Sequence, residues 1–336
     1  MTTPPEQLLM TAAAHERIRD RLTDADVVTL EIDGSLTRNG APVTEATLAP
    51  TLAWASLDAY PAGQLPRLFQ LILAHPVRWC QLFNAGLDNP AFRALMAHGV
   101  RLTKSDAQAP AIAEYVLAHA LARLHPIAEQ RAAQDAHEWR RVEFREVADT
   151  RWLIVGFGAI GRAVAERLRP WGAHLTVVRR TPGADPLADA VIGPEALLDQ
   201  LSHADVIVLA APLTAETDGL ADAAFFAAAK PGALLVNVAR GGLVEENALR
   251  GALDGPLGRS LGHAVLDVFH VEPLPADHWA WDHPKVTLSA HCSNAGSGQL
   301  ARGDDLFLDN LARWRAGEPL RNEAARSEVG LSEVGL

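Results

Sequence analysis

Ten residues decide how this chain is read: Trp152, Leu153, Ile154, Val155, Gly156, Phe157, Gly158, Ala159, Ile160 and Gly161. The first four form a short apolar run of the kind that makes a buried strand. Gly156, Gly158 and Gly161 then fall at the G-x-G-x-x-G spacing. Ile160, Val164, Leu168 and Trp171 recur at helical intervals, so a helix is expected to start inside the glycine run. The glycines alone are a weak pattern. A strand before them and a helix after them make a dinucleotide-binding signal. Gly156 would permit the tight turn, and Gly158 would let a pyrophosphate approach the backbone. Gly161 would let the helix pack closely on the strand. The pyrophosphate would rest on free N–H groups at the positive end of the helix dipole.

Outward from this unit the chain alternates strands and helices, which predicts parallel, doubly wound α/β sheets. Upstream, strands are expected at Gln7 to Thr11, Ala25 to Ile32, Thr51 to Ser56, Val77 to Phe83 and Val100 to Thr103. Helices are expected at Ala12 to Leu22, Leu65 to Ala74 and Pro90 to His98, with a loop over 34–48. A second series starts with a helix at Pro110, because proline suits a first helical turn. Downstream strands are expected at Leu175 to Val178, Asp205 to Ala210, Ala233 to Ala239, Ala264 to Phe269 and Val286 to Ala290. A last helix is expected over roughly Gly298 to Arg315. Ser-Glu-Val-Gly-Leu occurs twice, at 327–331 and 332–336, and reads as a frayed, solvated terminus.

A chain of 336 residues suits about two domains. A formal charge of −11 argues against nucleic acid and anionic membranes as partners. Two cysteines, Cys80 and Cys292, supply neither a disulfide framework nor a metal-ligand pattern, so no metal is expected. No apolar run is long enough to span a membrane, and the first residues lack the pattern of a signal peptide. A soluble, cytoplasmic protein is the expectation.

The second strand of the glycine unit ends in Arg179, Arg180 and Thr181. An acidic residue about twenty positions after the glycines accepts hydrogen bonds from the ribose of NAD. Arginine accepts none, but it holds a 2′-phosphate, so NADP is favoured over NAD. Three further strands end in polar residues. Leu234 to Val238 leads into Ala239, Arg240, Gly241 and Gly242; Ala264 to Leu266 leads into Asp267, and Glu272 follows before Pro273; Val286 to Ala290 leads into His291. Ligands of open α/β sheets collect beyond the carboxyl ends of strands, so Arg240, Glu272 and His291 are expected to converge. Singly, each also fits a solvated surface group.

With these stretches in view, the chain resembles the D-isomer-specific 2-hydroxyacid dehydrogenases, in particular the glyoxylate and hydroxypyruvate reductase branch. The likeness rests on Pro110 to Tyr115, the glycine run, Asn237 to Gly242, Leu266 to Pro273 and His291, and covers most of residues 76–315. It implies two Rossmann- or flavodoxin-like domains with the active site in a cleft between them. The substrate domain would be discontinuous, 1–109 plus 297–336, and the cofactor domain would be 110–296. Arg240 would bind the substrate carboxylate and polarise its carbonyl. His291 would exchange a proton with the carbonyl oxygen, and Glu272 would pair with His291, favour its charged form and hold the ring. The N–H groups around Ala85 and Gly86 would share the carboxylate. Asp267 would face the nicotinamide ribose or carboxamide. Ala159, Ile160, Val238 and Ala239 would lie against the cofactor, as would Ala211 and Pro212. Ala211 stands where threonine is common in the family, which puts one cofactor hydrogen bond in doubt. Cys292, Ser293 and Asn294 replace the small residues usual after the histidine. Cys292 reads as a packed cysteine, with a reactive thiol as the alternative.

The implied reaction is NAD(P)H-dependent reduction of a small 2-keto acid to the D-2-hydroxy acid. Two alternatives stay open: a bulkier or aromatic 2-keto acid, and a dinucleotide-sensing, corepressor-like protein without turnover. The resemblance also implies a homodimer. Residues 126–150, which include Trp139, are the candidate contact region.

Overall fold

Two seven-stranded sheets carry the chain. The computed structural model describes residues 6–22, 25–255 and 261–332. Its contacts separate two units, Met1–Gln108 with Ser297–Leu336, and Ala109–Gly296.

In the first unit the strands are β1 (Gln7–Thr11), β2 (Asp26–Leu30), β3 (Leu36–Arg38), β4 (Ala41–Val43), β5 (Leu52–Ala55), β6 (Trp79–Leu82) and β7 (Arg101–Thr103). Their order is β4-β3-β2-β1-β5-β6-β7. The five strands from β2 through β7 in that order are parallel, the flavodoxin-like pattern. Both faces of this sheet are buried, which is why β1 reads as an unbroken apolar run rather than an alternation. Leu8 and Met10 enter a core with Trp54, Trp79 and Phe307, and Leu9 enters the opposite one with Val28 and Ala53. Helices Ala12–Ile18, Leu65–Ala74, Pro90–Ala97 and Gln299–Ala316 belong to this unit.

Two expectations for this unit need correction. The loop over 34–48 holds a hairpin, β3 antiparallel to both β2 and β4. Asn39 and Gly40 turn it with φ of 52° and 78°, as a two-residue hairpin with positive φ at both centres requires. The C-terminal segment is not simply solvated. Val329 is buried and packs with Ala324 in the core, and its carbonyl accepts a hydrogen bond from Arg93 Nη1 at 3.2 Å. Residues 333–336, most of the second Ser-Glu-Val-Gly-Leu copy, lie outside the described residues.

The second unit contains β8 (Arg151–Val155), β9 (His174–Val178), β10 (Ala190–Ile192), β11 (Val206–Leu209), β12 (Leu234–Asn237), β13 (His263–Leu266) and β14 (Val286–Leu288). All pairs are parallel, in the order β10-β9-β8-β11-β12-β13-β14. That is the Rossmann order, with its reversal between β8 and β11. β10 lies outside the expected strands, because three half-buried residues at a sheet edge carry little periodicity. Residues 127–135 form a helix, and Trp139 beyond it is fully exposed. Trp171, expected on the helix after the glycines, falls in a 3-10 turn after that helix ends at Leu168.

Candidate active site

Each glycine of the turn after β8 answers a different constraint. Gly156 has φ of 97°, and a Cβ there would lie 2.5 Å from the Ala211 nitrogen. At Gly161 a Cβ would lie 2.2 Å from the Gly156 oxygen, so the helix Ala159–Leu168 packs on the turn only without a side chain. A Cβ on Gly158 would meet nothing within 4 Å. Gly158 and Ala159 are exposed at the N-terminus of that helix, and Ile160 is half-buried. Bare backbone, free N–H groups and open space fit a pyrophosphate. Across the reversal, Ala211 is buried and Pro212 exposed, and the Pro212 carbonyl accepts from Thr217 Oγ1 at 2.6 Å.

At the end of β9 the two arginines behave differently. Arg179 folds back onto its own loop, donating to the Gly183 carbonyl at 2.7 Å with Asp185 3.9 Å away. Asp185 is held chiefly by Arg162 at 2.6 Å, and that bond lowers its pKa. Arg180 and Thr181 remain exposed.

The loops after β12, β13 and β14 interlock. Asn237, at the end of β12, is 1% exposed. Its Nδ2 donates to the Arg240 carbonyl at 2.9 Å, and its Oδ1 accepts from the Ala239 N–H at 3.1 Å. This brace presents Arg240, half-buried, whose Nη1 donates to the Ala239 carbonyl at 2.7 Å. Val238 and Ala239 beneath it are nearly buried. A Cβ on Gly241 would lie 2.0 Å from the Phe269 carbonyl carbon, so glycine is what lets the Arg240 turn lie on the backbone leading to Glu272. Glu272 then makes two bonds: Oε1 accepts from the Phe269 N–H at 2.9 Å, and Oε2 meets His291 Nδ1 at 2.7 Å. His291 has φ of 49°, an unfavourable region for a non-glycine residue. Its N–H is anchored on the Asp267 carbonyl at 2.8 Å. His291 Nε2 has no hydrogen-bond partner among the described residues.

The Asp267 carboxylate is completely buried and is engaged by its own loop. It accepts from Ser289 Oγ at 2.5 Å, from the Cys292 N–H at 2.9 Å and from the Ser293 N–H at 3.1 Å. A buried charge is retained only when hydrogen-bonded, and here the bonds clamp the turn that carries His291. Tyr115 OH lies 2.7 Å from Ser289 Oγ. Because the serine proton is given to Asp267, Tyr115 is the donor. Burial pushes Tyr115 up to about 12, against the lowering effect of its bond to Ser289. Asn237, Tyr115 and Ser289 all lie in the quoted stretches, but only contact geometry reveals their bracing role. Cys292 is exposed, not packed. Ala85 and Gly86 belong to the other unit, in the loop after β6, with Ala85 exposed and Gly86 half-buried.

The glycine turn at the sheet reversal defines the class: a dinucleotide-binding α/β protein with an imidazole–carboxylate pair on the loops beyond the same sheet. A sequence model of the D-isomer specific 2-hydroxyacid dehydrogenase NAD-binding domain matches residues 117–293. The chain belongs to the D-isomer specific 2-hydroxyacid dehydrogenase family, whose members are NAD(P)-dependent oxidoreductases. D-3-phosphoglycerate dehydrogenase of Mycobacterium leprae is 35% identical over 314 residues, which is 90% of this chain but 57% of that protein. The chain thus spans little more than half the length of that relative. Glyoxylate/hydroxypyruvate reductase A of Serratia proteamaculans is 30% identical over 243 residues, 70% of this chain and 76% of that one. The crystal structure of a D-isomer specific 2-hydroxyacid dehydrogenase from Xanthobacter autotrophicus Py2, in complex with NADPH and MES, superposes with a TM-score of 0.76 at 26% identity, covering 97% of this chain and 99% of that one. Among the described residues, no helix is long and apolar enough to cross a membrane.

Proposed function

We propose that this chain reduces a small 2-keto acid, of the glyoxylate or hydroxypyruvate type, to the D-2-hydroxy acid, with NADPH favoured over NADH. The observation that carries this reading is the 2.7 Å contact between His291 Nδ1 and Glu272 Oε2. It fixes the ring and turns Nε2 to the substrate. Charged His291 gives its Nε2 proton to the carbonyl oxygen, and neutral His291 takes it back in the reverse direction. Arg240 holds the substrate carboxylate with its guanidinium fork and polarises the neighbouring carbonyl. The N–H groups at Ala85 and Gly86 share that carboxylate. The nicotinamide, when bound, supplies the hydride. Gly156, Gly158, Ala159, Ile160 and Gly161 seat its pyrophosphate, with Ala211, Pro212, Val238 and Ala239 along the same edge.

The preference for NADPH rests on Arg180 and Thr181. They are exposed where NAD enzymes carry an acid, and the Xanthobacter relative was crystallised with NADPH. We further propose a homodimer formed through residues 126–150, where Ile127, Trp139 and Phe144 are exposed. Sedimentation as a monomer at micromolar concentration would remove that part.

The test follows oxidation of NADPH and NADH with glyoxylate, hydroxypyruvate, pyruvate and phenylpyruvate. Rapid NADPH oxidation with the small acids is expected, and His291→Ala should lower kcat by ~10²–10⁴-fold with dinucleotide binding intact. Preference for NADH overturns the role of Arg180 alone. Faster turnover of phenylpyruvate replaces the small-acid reading with the bulky one. Tight dinucleotide binding without turnover of any acid favours a sensor.

A further inference from the structure

The opposite end of the second sheet's strands holds a cavity that this chemistry does not use. It has a volume of ≈ 250 Å³ and is lined by Arg123, Arg145, Asp205, Lys230 and His263 among others. Val206, Leu234 and His263 begin β11, β12 and β13 here, so the cavity lies at the far end of the strands from Gly156.

We infer that this cavity binds a small dianion, a phosphate group or a short dicarboxylate, between Arg123, Arg145 and Lys230. Charge is the first argument. Three cations face one carboxylate, and that carboxylate is already saturated. Asp205 accepts from Arg145 at 2.9 and 3.1 Å, from Lys230 Nζ at 2.6 Å and from the Arg151 N–H at 2.9 Å. Against the raising effect of burial, these bonds lower the Asp205 carboxyl to about 2. Arg123 has no hydrogen bond or ion pair among the described residues. Its place in the last turn of the helix Ala109–Leu124 complements the helix dipole. That explains neither the cavity beside it nor the two further cations.

His263 reports the same field. It is 6% exposed, and its Nε2 is bonded to Thr287 Oγ1 at 2.8 Å. Burial first, then the charges of Arg123, His119 and His283, hold its pKa down to about 4. Backbone floors the site: a Cβ on Gly262 would lie 2.4 Å from the Gly232 oxygen. The volume suits a ligand of a few heavy atoms rather than a cofactor. Charge-assisted bonds from two guanidinium groups and an ammonium suit paired anionic oxygens.

The inference does not depend on the proposed reaction, and its test does not use turnover. The full-length protein is titrated by calorimetry with inorganic phosphate and with succinate, against chloride and acetate at matched ionic strength. Saturable binding of one dianion is expected, and which of the two binds identifies the ligand chemistry. Arg123→Gln should weaken it ~10-fold, one lost charge-assisted contact, while Arg180→Ala leaves it unchanged. Lys230→Gln serves as the second variant, with a similar loss expected. Absence of saturable binding beyond the chloride and acetate controls overturns the inference. So does affinity unchanged in both Arg123→Gln and Lys230→Gln, or affinity lost only in Arg180→Ala, which would place the anion at the dinucleotide end.

Discussion

Both sheets reverse their winding once, and the two reversals are finished in opposite ways. Between β8 and β11 the crevice is left bare: Gly158 offers no side chain, and a Cβ there would touch nothing. Between β1 and β5 the corresponding place is filled. Arg17 bonds Asp304 at 2.7 Å, Ser56 Oγ at 2.7 Å and Asp58 at 3.0 Å. Thr11 donates to Asp58, and Trp54 Nε1 reaches Asp304 at 3.4 Å. One topology therefore gives an open ligand seat in one unit and a closed ionic plug in the other. Winding alone marks where a ligand can sit; the residues at that place decide whether one does.

The largest effect should come from the packed side of the open reversal. Gly161→Ala forces a methyl onto the Gly156 carbonyl and should cost about 3 kcal/mol of stability in denaturant unfolding. A near-neutral result would show that the glycine turn is looser than its geometry. Asp304→Ala tests the plug. It removes two of the hydrogen bonds of Arg17, which is only 26% exposed and keeps Asp58 and Ser56, and should cost about 2 kcal/mol. If that variant is as stable as the parent, the filled reversal is not structural and the contrast fails.

The third test addresses the far end of the open sheet's strands. Folded His263 takes up a proton only near pH 4, whereas an unfolded histidine does so near 6.5. The unfolded chain thus binds more protons between those values, and stability should fall by roughly 2 kcal/mol as pH drops through that window. His263→Asn should flatten this slope; a slope unchanged in the variant assigns it to other groups. The smallest change in stability belongs to Gly158→Ala. It should alter unfolding by less than about 0.5 kcal/mol while weakening dinucleotide binding ~10-fold. Lost stability with binding intact would reverse the assignment of Gly158 and Gly161.

The same contrast explains what could be read from sequence. The open reversal is legible because backbone constraints dictate residue type: Gly156 needs positive φ, and Gly161 and Gly241 have backbone where a Cβ would be. The plug is not legible, because Arg17 and Asp304 are far apart in the chain and either alone resembles a surface charge. The bonds of Asp267 to Ser289, Cys292 and Ser293 are not legible, since sequence does not show which backbone and hydroxyl groups a carboxylate will hold. The β3–β4 hairpin is only half legible: Asn39-Gly40 is a strong turn signal, but the three-residue strands on either side carry too little apolar periodicity to mark them as strands.

That hairpin also changes how the first sheet meets other molecules. β4 is an edge strand, and Pro42 at its centre has no N–H to offer an incoming strand. The other edge, β7, is covered by the chain itself: Lys104 N–H bonds the Asn322 carbonyl at 2.9 Å, and Ala324 N–H bonds the Leu102 carbonyl at 2.9 Å. One border is chemically blunted and the other is sealed by the segment around Asn322. Among the described residues, then, neither border of this sheet presents a long unbroken ladder to an incoming strand, and the residues after the last helix double as the cover of β7.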